Sequence, residues 1–498
     1  MKFPTALAGL LLSLGFAAVA HSQAPAPDEE AINRQAAQME AELGKYKDSS
    51  PEAAETMVKL VDLYHAQGRV YGLVRVAQQF STTHSADPRH KDVMLKLLDG
   101  LEALSRNKDF AAACRQFLAR YPQAPECATI EVRLADSLAQ LEDRARTAEA
   151  CALVWTRQPG SPLGRKYVVL AMTHYTATGT PDGASKAASL ADEVLEKLAP
   201  GEFVQHVAWQ GFNEWRRISQ WAKSNATGAK MLQKNVAGDP KRQRDLHSLM
   251  AENFANLGQY ANSVDSLKKA RALGDSPVLH HQLVVRMYSA NAKGAELEPL
   301  VNEYIQKYPQ RPDRLSLQSY LANAWIRDND KARALPLLAA LLPLDALTNS
   351  NASIYVQQNG VEPAQFAASE ATLKNAIAQN KDHGAYLRYV LAFDVYRDRI
   401  KDAAKARATI RELLALSPSD DGYTTGAIDW LLYNPADENE FKADVARVLA
   451  LRRENVHFAS LRESPRNWAN AARQNKDFKD RAAYVTAELA KADQDPLV

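Results

Sequence analysis

Three of the seven tryptophans in this 498-residue sequence, Trp209, Trp215 and Trp221, fall close together, with Phe212 between them and Arg216-Arg217 directly beside them. Aromatic and arginine side chains are the types that dominate binding hot spots, because they offer large rigid contact area together with a cationic or polar tip. At helical spacing, Val204, Val207, Ala208, Trp209, Phe212, Trp215 and Ile218 span about 200° of circumference, whereas an amphipathic surface helix needs an apolar arc of only about 100°. The excess has two uses. Either the helix is packed on two sides, or Trp209, Phe212, Trp215 and Arg216 form a ligand-facing patch.

Other chemistry is thinly marked. The eleven histidines form no metal motif: HExxH, CxxC and CxxCH are absent, and adjacent His280-His281 would point about 100° apart on a helix. No glycine-rich phosphate loop, GxGxxG fingerprint or GxSxG elbow occurs. Asp420-Asp421 reads as a helix-start cap rather than a catalytic dyad. No catalytic residue, metal or cofactor is therefore expected, and no enzymatic activity. The three cysteines are Cys114, Cys127 and Cys151. Cys114 and Cys151 hold equivalent positions on successive helices. That places them about 8–10 Å apart, beyond the roughly 7 Å that a disulfide tolerates. Small buried residues are the first expectation; one bridge or an intermolecular thiol is the alternative.

The elements that would position these residues follow from a repeat. The stretch Asn107–Pro125, NKDFAAACRQFLARYPQAP, has a turn, a helix and a proline stop, and versions of it recur. Taking Phe117 as a mark, counterparts stand at Phe80, Val154, Val194, Met231, Leu267, Tyr304 and Leu341, at intervals of 36–40 residues, mostly 37. A looser continuation runs through Ile377, Ile410, Val448 and Val485. Three places before the mark stands a column of mostly small residues: Ala77, Cys114, Cys151, Ala191, Gly228, Val264 and Val301. Prolines five places after it (Pro122, Pro159, Pro309) and eight places after it (Pro88, Pro125, Pro162, Pro312, Pro418) read as helix stops. A 37-residue unit accommodates two helices of about 14 residues, each about 20 Å long. Such a hairpin cannot bury its apolar stripe alone and must stack on its neighbours.

The remaining stretches set the limits. Lys2, the apolar run Ala6–Phe16 and Ala18-Val19-Ala20 make residues 1–20 a signal peptide cleaved after Ala20. No cysteine precedes Cys114, so the chain is not read as a lipoprotein. Residues 21–50 are a proline-broken linker and a polar capping helix, Glu29–Tyr46. Residues 51–345 are the regular repeats, and 346–498 are degenerate repeats with a C-terminal cap. In that last part Asn349–Asn359 is a poor helix sequence, Pro465 should kink or interrupt its helix, and Tyr386, Tyr389, Phe393 and Tyr396 form one core stripe. The formal charge is +2, from 61 basic and 59 acidic residues. Such balance disfavours a nucleic-acid or polybasic membrane role. No later apolar run is long enough for a transmembrane anchor.

Leu257-Gly258-Gln259-Tyr260 followed by Ala270 resembles the turn and second helix of a tetratricopeptide repeat. Phe117-Leu-Ala-Arg-Tyr-Pro122 and Tyr304-Ile-Gln-Lys-Tyr-Pro309 are similar to helix endings of periplasmic tetratricopeptide proteins. The likeness covers residues 51–345 well and 346–498 loosely. It departs at His247, Ala251 and Ser263, where the family usually has tryptophan, glycine and alanine. The resemblance implies an all-α, right-handed α-solenoid of about twelve helix-turn-helix repeats. It also implies a periplasmic or secreted, non-enzymatic scaffold of the bacterial cell envelope, with a peptide or partner helix held in a concave groove. A glycan- or peptidoglycan-binding protein, or the solenoid accessory of a wall-acting enzyme, is the alternative.

Overall fold

The structure is a computed structural model that describes residues 29–493 apart from 345–349, 380–383, 417–421 and 455–458. The signal peptide and most of the linker expected before Glu29 lie outside the described residues, as do Pro418 and Asp420-Asp421. The described chain is all-α, with no strand. It divides into two units, one ending at Ser219 and the other beginning at Gln220.

In the first unit a short cap, α1 (Glu29–Leu43), precedes alternating first and second helices. These are α2 (Pro51–Ala66), α3 (Val70–Thr83), α4 (His90–Ala103), α5 (Asn107–Arg120), α6 (Cys127–Gln140), α7 (Arg144–Arg157), α8 (Pro162–Ala177), α9 (Pro181–Lys197) and α10 (Glu202–Arg217). Each helix packs against the next in the chain, as hairpins with an unshared apolar stripe must. The cap buries only Ala36 and Leu43, so most of its surface stays polar.

The second unit continues with α11 (Trp221–Gln233), α12 (Pro240–Asn256), α13 (Tyr260–Leu273), α14 (Pro277–Ser289), α15 (Gly294–Lys307), α16 (Arg314–Arg327) and α17 (Lys331–Leu341). After these come α18 (Asn351–Asn359), α19 (Pro363–Gln379) and α20 (Gly384–Val390), which runs on as a π-helix over Leu391–Ile400. The last helices are α21 (Ala403–Leu416), α22 (Gly422–Tyr433), α23 (Glu438–Glu454), α24 (Ala459–Ala472) and α25 (Lys479–Ala492).

The repeat marks locate the core. Phe80, Phe117, Val154, Val194, Met231, Leu267, Tyr304 and Leu341 are all buried, and Ile410, Val448 and Val485 are buried in the looser part. Of the column three residues earlier, Ala77, Cys114, Cys151, Ala191, Gly228 and Val301 are buried and Val264 is half-buried.

The turns inside the hairpins repeat as well. Two residues after a first helix ends, the backbone enters the left-handed region, at Gly68, Ser105, Glu142, Gly179, Ser219, Gly258, Asn291 and Asn329. In several turns the next amide reaches back five residues to close the helix end: Arg69 to the Tyr64 carbonyl, Arg106 to Leu101, Gln259 to Phe254 and Asp330 to Trp325. This is the Schellman stop, which favours glycine because it has no Cβ to clash. Glu142 occupies such a site at φ 56° with an exposed side chain. Glu142→Gly should therefore raise stability by about 0.5–1 kcal/mol, read as a higher urea midpoint. Gly258→Ala should lower it by a similar amount, since a Cβ there meets nothing within 4 Å and only backbone strain is added.

Three sequence expectations are corrected. The proline eight places after the mark leads into the next helix rather than stopping the last: Pro88, Pro125 and Pro312 stand two residues before α4, α6 and α16 begin, and Pro162 stands inside its helix. α7 ends at Arg157, whereas Pro162 is the first residue of α8, with the Ser161 hydroxyl accepting from the Gly164 amide at 2.9 Å. The same pairing of a capping side chain with proline opens α2, α9, α12 and α14, because the first turn has no use for the missing N–H. Asn351–Asn359 is helical despite its composition: Ala352, Tyr355 and Val356 fall on one face and are buried, which overrides weak propensity. α24 runs through Pro465. Ser263 is accommodated in the core because its hydroxyl donates to the Ala251 backbone carbonyl at 2.7 Å.

Candidate functional site

The aromatic helix is α10. Its approach to α9 is set by glycine: a Cβ on Gly211 would stand 2.3 Å from the Ala191 Cβ, so the two backbones touch across the small column. Phe212 and Trp215 fill that contact, at 0% and 3% exposure. Trp215 Nε1–H donates to Asp192 Oδ2 at 3.0 Å, which satisfies the one polar atom of a ring otherwise held in the core. Trp209 packs edge-on against Phe212, with ring centroids 5.8 Å apart.

Trp209 and Arg216 are only half-buried. Seven residues apart, they stand on one line of α10, about 10 Å from each other along the axis. The neighbouring Arg217 is tied to the buried Glu214 carboxylate at 2.8 and 2.9 Å. The four residues singled out in the sequence thus divide into two foundations, Phe212 and Trp215, and two that reach the surface, Trp209 and Arg216.

A second surface lies between α3, α4 and α5: a groove of about 820 Å³. Its floor is Met94, Leu97 and Leu101, its walls include Ala112 and Gln116, and Arg120 stands at one end. Ser81 Oγ is enclosed there without a hydrogen-bond partner. His90, at the same groove, is held below the usual histidine range by burial and then by the Arg120 charge. Met94, Leu97 and Leu101 are also core residues; that they floor a groove as well depends on the spacing of α3 and α5.

Asp275, His280 and Glu303 bring ligand-type atoms within 4.8 Å of one another, but the cationic place among them is taken by side chains. Arg271 donates to Asp275 at 2.9 Å and to Glu303 at 3.1 Å, and Lys307 reaches the same two carboxylates at 3.4 and 2.6 Å. His280 Nε2–H donates to the Leu300 carbonyl at 2.9 Å, leaving Nδ1 to accept from Arg271 at 3.3 Å. A metal ion would have to displace the guanidinium and the ammonium, so the cluster is an ion-pair network joining α13, α14 and α15.

The cysteines are all buried and unbridged. Burial pushes the Cys114 and Cys151 thiols up to about 12, and Cys127 Sγ donates to the Tyr121 carbonyl at 3.0 Å. Buried in this way, all three lack the exposure that reactivity requires. No described helix is long and apolar enough to cross a membrane.

No protein-family model matches the chain, and no curated protein matches it. Solved structures do show similarity. The Naa15/Naa10 complex bound to HypK-THB has a chain 14% identical, covering 93% of this chain and 77% of its own, at a TM-score of 0.31. Yeast Tom70 is 13% identical over 86% of this chain and 95% of its own, at 0.27. A tetratricopeptide repeat protein from Parabacteroides merdae is 12% identical over 52% of this chain and 94% of its own, at 0.23.

Proposed function

We propose that this array of tetratricopeptide-like helix hairpins is a non-enzymatic interaction scaffold. We place it in the bacterial cell envelope, periplasmic or secreted after removal of residues 1–20, with a protein or peptide partner. The observation that carries the reading is the division of labour on α10. Trp209 and Arg216 present an aromatic face and a cation on one line of the helix, while Phe212, Trp215 and the Gly211–Ala191 approach fix their base. A rigid base lowers the ordering cost of binding, and tryptophan with arginine is the composition of a hot spot.

The test is affinity capture from an envelope extract with the mature protein and with a Trp209→Ala/Arg216→Ala variant. A partner held by the wild type and lost by at least tenfold in the variant, at unchanged melting temperature, is the expected result. Equal capture by both proteins would remove α10 from the reading. Retention on peptidoglycan that depends on Trp209 would move the ligand from protein to glycan.

A further inference from the structure

The helix that begins at Gly384 changes its winding at Leu391 and stays π-wound to Ile400. It ends where Lys401 turns left-handed, at φ 61°, and the Asp402 amide reaches back to the Tyr396 carbonyl at 2.9 Å. Wide π turns are rare and recur at functional sites. Here the winding has a specific geometric consequence. At 100° per residue, positions five apart on an α-helix point about 140° away from each other. Hydrogen bonds that span five residues widen the turn and bring such positions to the same side of the helix. Asp394 and Arg399 are five apart, and both line the same cavity, of about 430 Å³. Phe366 and Val361 supply its apolar wall, and Gln357 completes the polar side.

The two charges are poised rather than spent. Asp394 accepts from the Ser353 hydroxyl at 2.8 Å, and Ser353 in turn accepts from Gln357 at 3.4 Å. Arg399 donates to the Gly360 carbonyl at 2.9 Å and lies over the Phe366 ring, 5.7 Å from its centroid. Among the described residues neither has an ion-pair partner, and they do not pair with each other. The next-door charges do pair, Arg397 with Asp398 at 2.6 Å, so they largely cancel at the cavity rim. Burial holds the Asp394 carboxyl above the usual range, with Asp398 adding to the effect, although Arg397 and Arg399 pull the other way. A carboxyl withdrawn from water with no cation against it costs stability, and groups of this kind cluster where a ligand supplies the missing charge.

We propose that this cavity is a receptor for a small zwitterion of the α-amino acid type, its ammonium group on Asp394, its carboxylate on Arg399 and its side chain against Phe366 and Val361. The volume is near the lower end of small-ligand pockets and too small for a helix about 10 Å across. A ligand with both charges matches a site with one of each, and a guanidinium suits a carboxylate because it can donate two parallel bonds. The site lies in the second unit and is independent of the α10 surface.

Calorimetric titration of the full mature chain at millimolar concentration of L-leucine, L-valine and L-phenylalanine tests the assignment. At least one should bind. Its amide, which lacks the carboxylate, and its desamino acid, which lacks the ammonium, should each bind at least tenfold more weakly. Asp394→Asn keeps an acceptor for Ser353, so it should fold, melt no lower than the wild type and lose the amino acid by at least tenfold. Arg399→Met should lose it to a similar extent while retaining the helical circular dichroism. No binding by any of the three amino acids, equal binding of the amide and the desamino acid, undiminished affinity in Asp394→Asn, or a lower melting temperature in that variant would each overturn the proposal.

Discussion

An Arg157→Ala variant is expected to lose about 3 kcal/mol, the low end for a broken buried pair, because Arg157 itself is 36% exposed and solvent screens part of the interaction. The loss stems from Glu131, whose side chain is 4% exposed. Arg157 on α7 grips that carboxylate on α6 through Nε, at 2.9 Å to both oxygens, and through Nη2 at 2.7 Å. Removing the guanidinium strands a charge in the core, which costs far more than the pair itself contributes. Exposed pairs such as Arg106–Asp109 should be worth less than about 1 kcal/mol.

Besides the urea midpoint, thiol modification gives a readout local to this pair. Cys127 opens α6 and Cys151 sits in α7, and both are buried. In the wild type they should react only on local opening; in Arg157→Ala the rate should rise by about two orders of magnitude or more. An Arg157→Met/Glu131→Leu double variant, which removes both charges and keeps the volume, should recover most of the loss. Unchanged thiol rates in the single variant would mean that water reaches Glu131 in solution.

The arrangement of helices was legible because it is written in side-chain size at a fixed interval. Phe117 and its counterparts predict a buried edge on every second helix, and they are buried apart from Ile377, which is half-buried. Proline was harder to read, since Pro162 and Pro122 look alike in the sequence. Which helix a proline serves depends on whether a capping serine precedes it, and Ser161 was the available signal. On α10 the composition announced an excess of apolar surface, but no sequence rule could say that Gly211 meets Ala191 and thereby commits Phe212 and Trp215 to the core. The π-helix was not legible at all. The stripe Tyr386, Tyr389, Phe393 and Tyr396 is core-facing but not one face: Tyr386 and Tyr396 pack into one cluster, while Phe393 and half-buried Tyr389 pack into another, and three- and four-residue spacings could not show that over so short a run. Only the coordinates place Asp394 beside Arg399.

Stability should also fall as the pH drops from about 7.5 to about 5.5, well before most carboxylates titrate. Five histidines are held below their usual range, and in each the first cause is burial: His90, His174, His247, His280 and His281. Neighbouring cations add to it at all five, Arg120 at His90, Arg144 at His174, Lys269 at His247, Arg271 at His280 and Arg311 at His281, where Asp313 opposes it. In the unfolded chain these rings take up protons near pH 6.5, whereas the folded chain does not until lower pH. Below that value the unfolded state therefore binds more protons, and folding loses up to about 1.4 kcal/mol per pH unit for each such ring.

Asp394 and Asp429 work in the opposite sense, since burial raises both. Their contribution is present at low pH and lost as pH rises through the raised value, so they offset part of the histidine effect. At His280 the coupling is structural, because Nδ1 accepts from Arg271 while Nε2–H holds Leu300. A proton on Nδ1 would set two cations against each other, although Asp275 and Glu303, 3.8 and 3.9 Å away, soften the clash. The urea midpoint at several pH values checks the prediction. His280→Gln, which can still donate to the Leu300 carbonyl but does not titrate, should flatten the dependence. A midpoint that stays level down to about pH 5.5 would mean that these rings are hydrated in the folded protein, contrary to their burial.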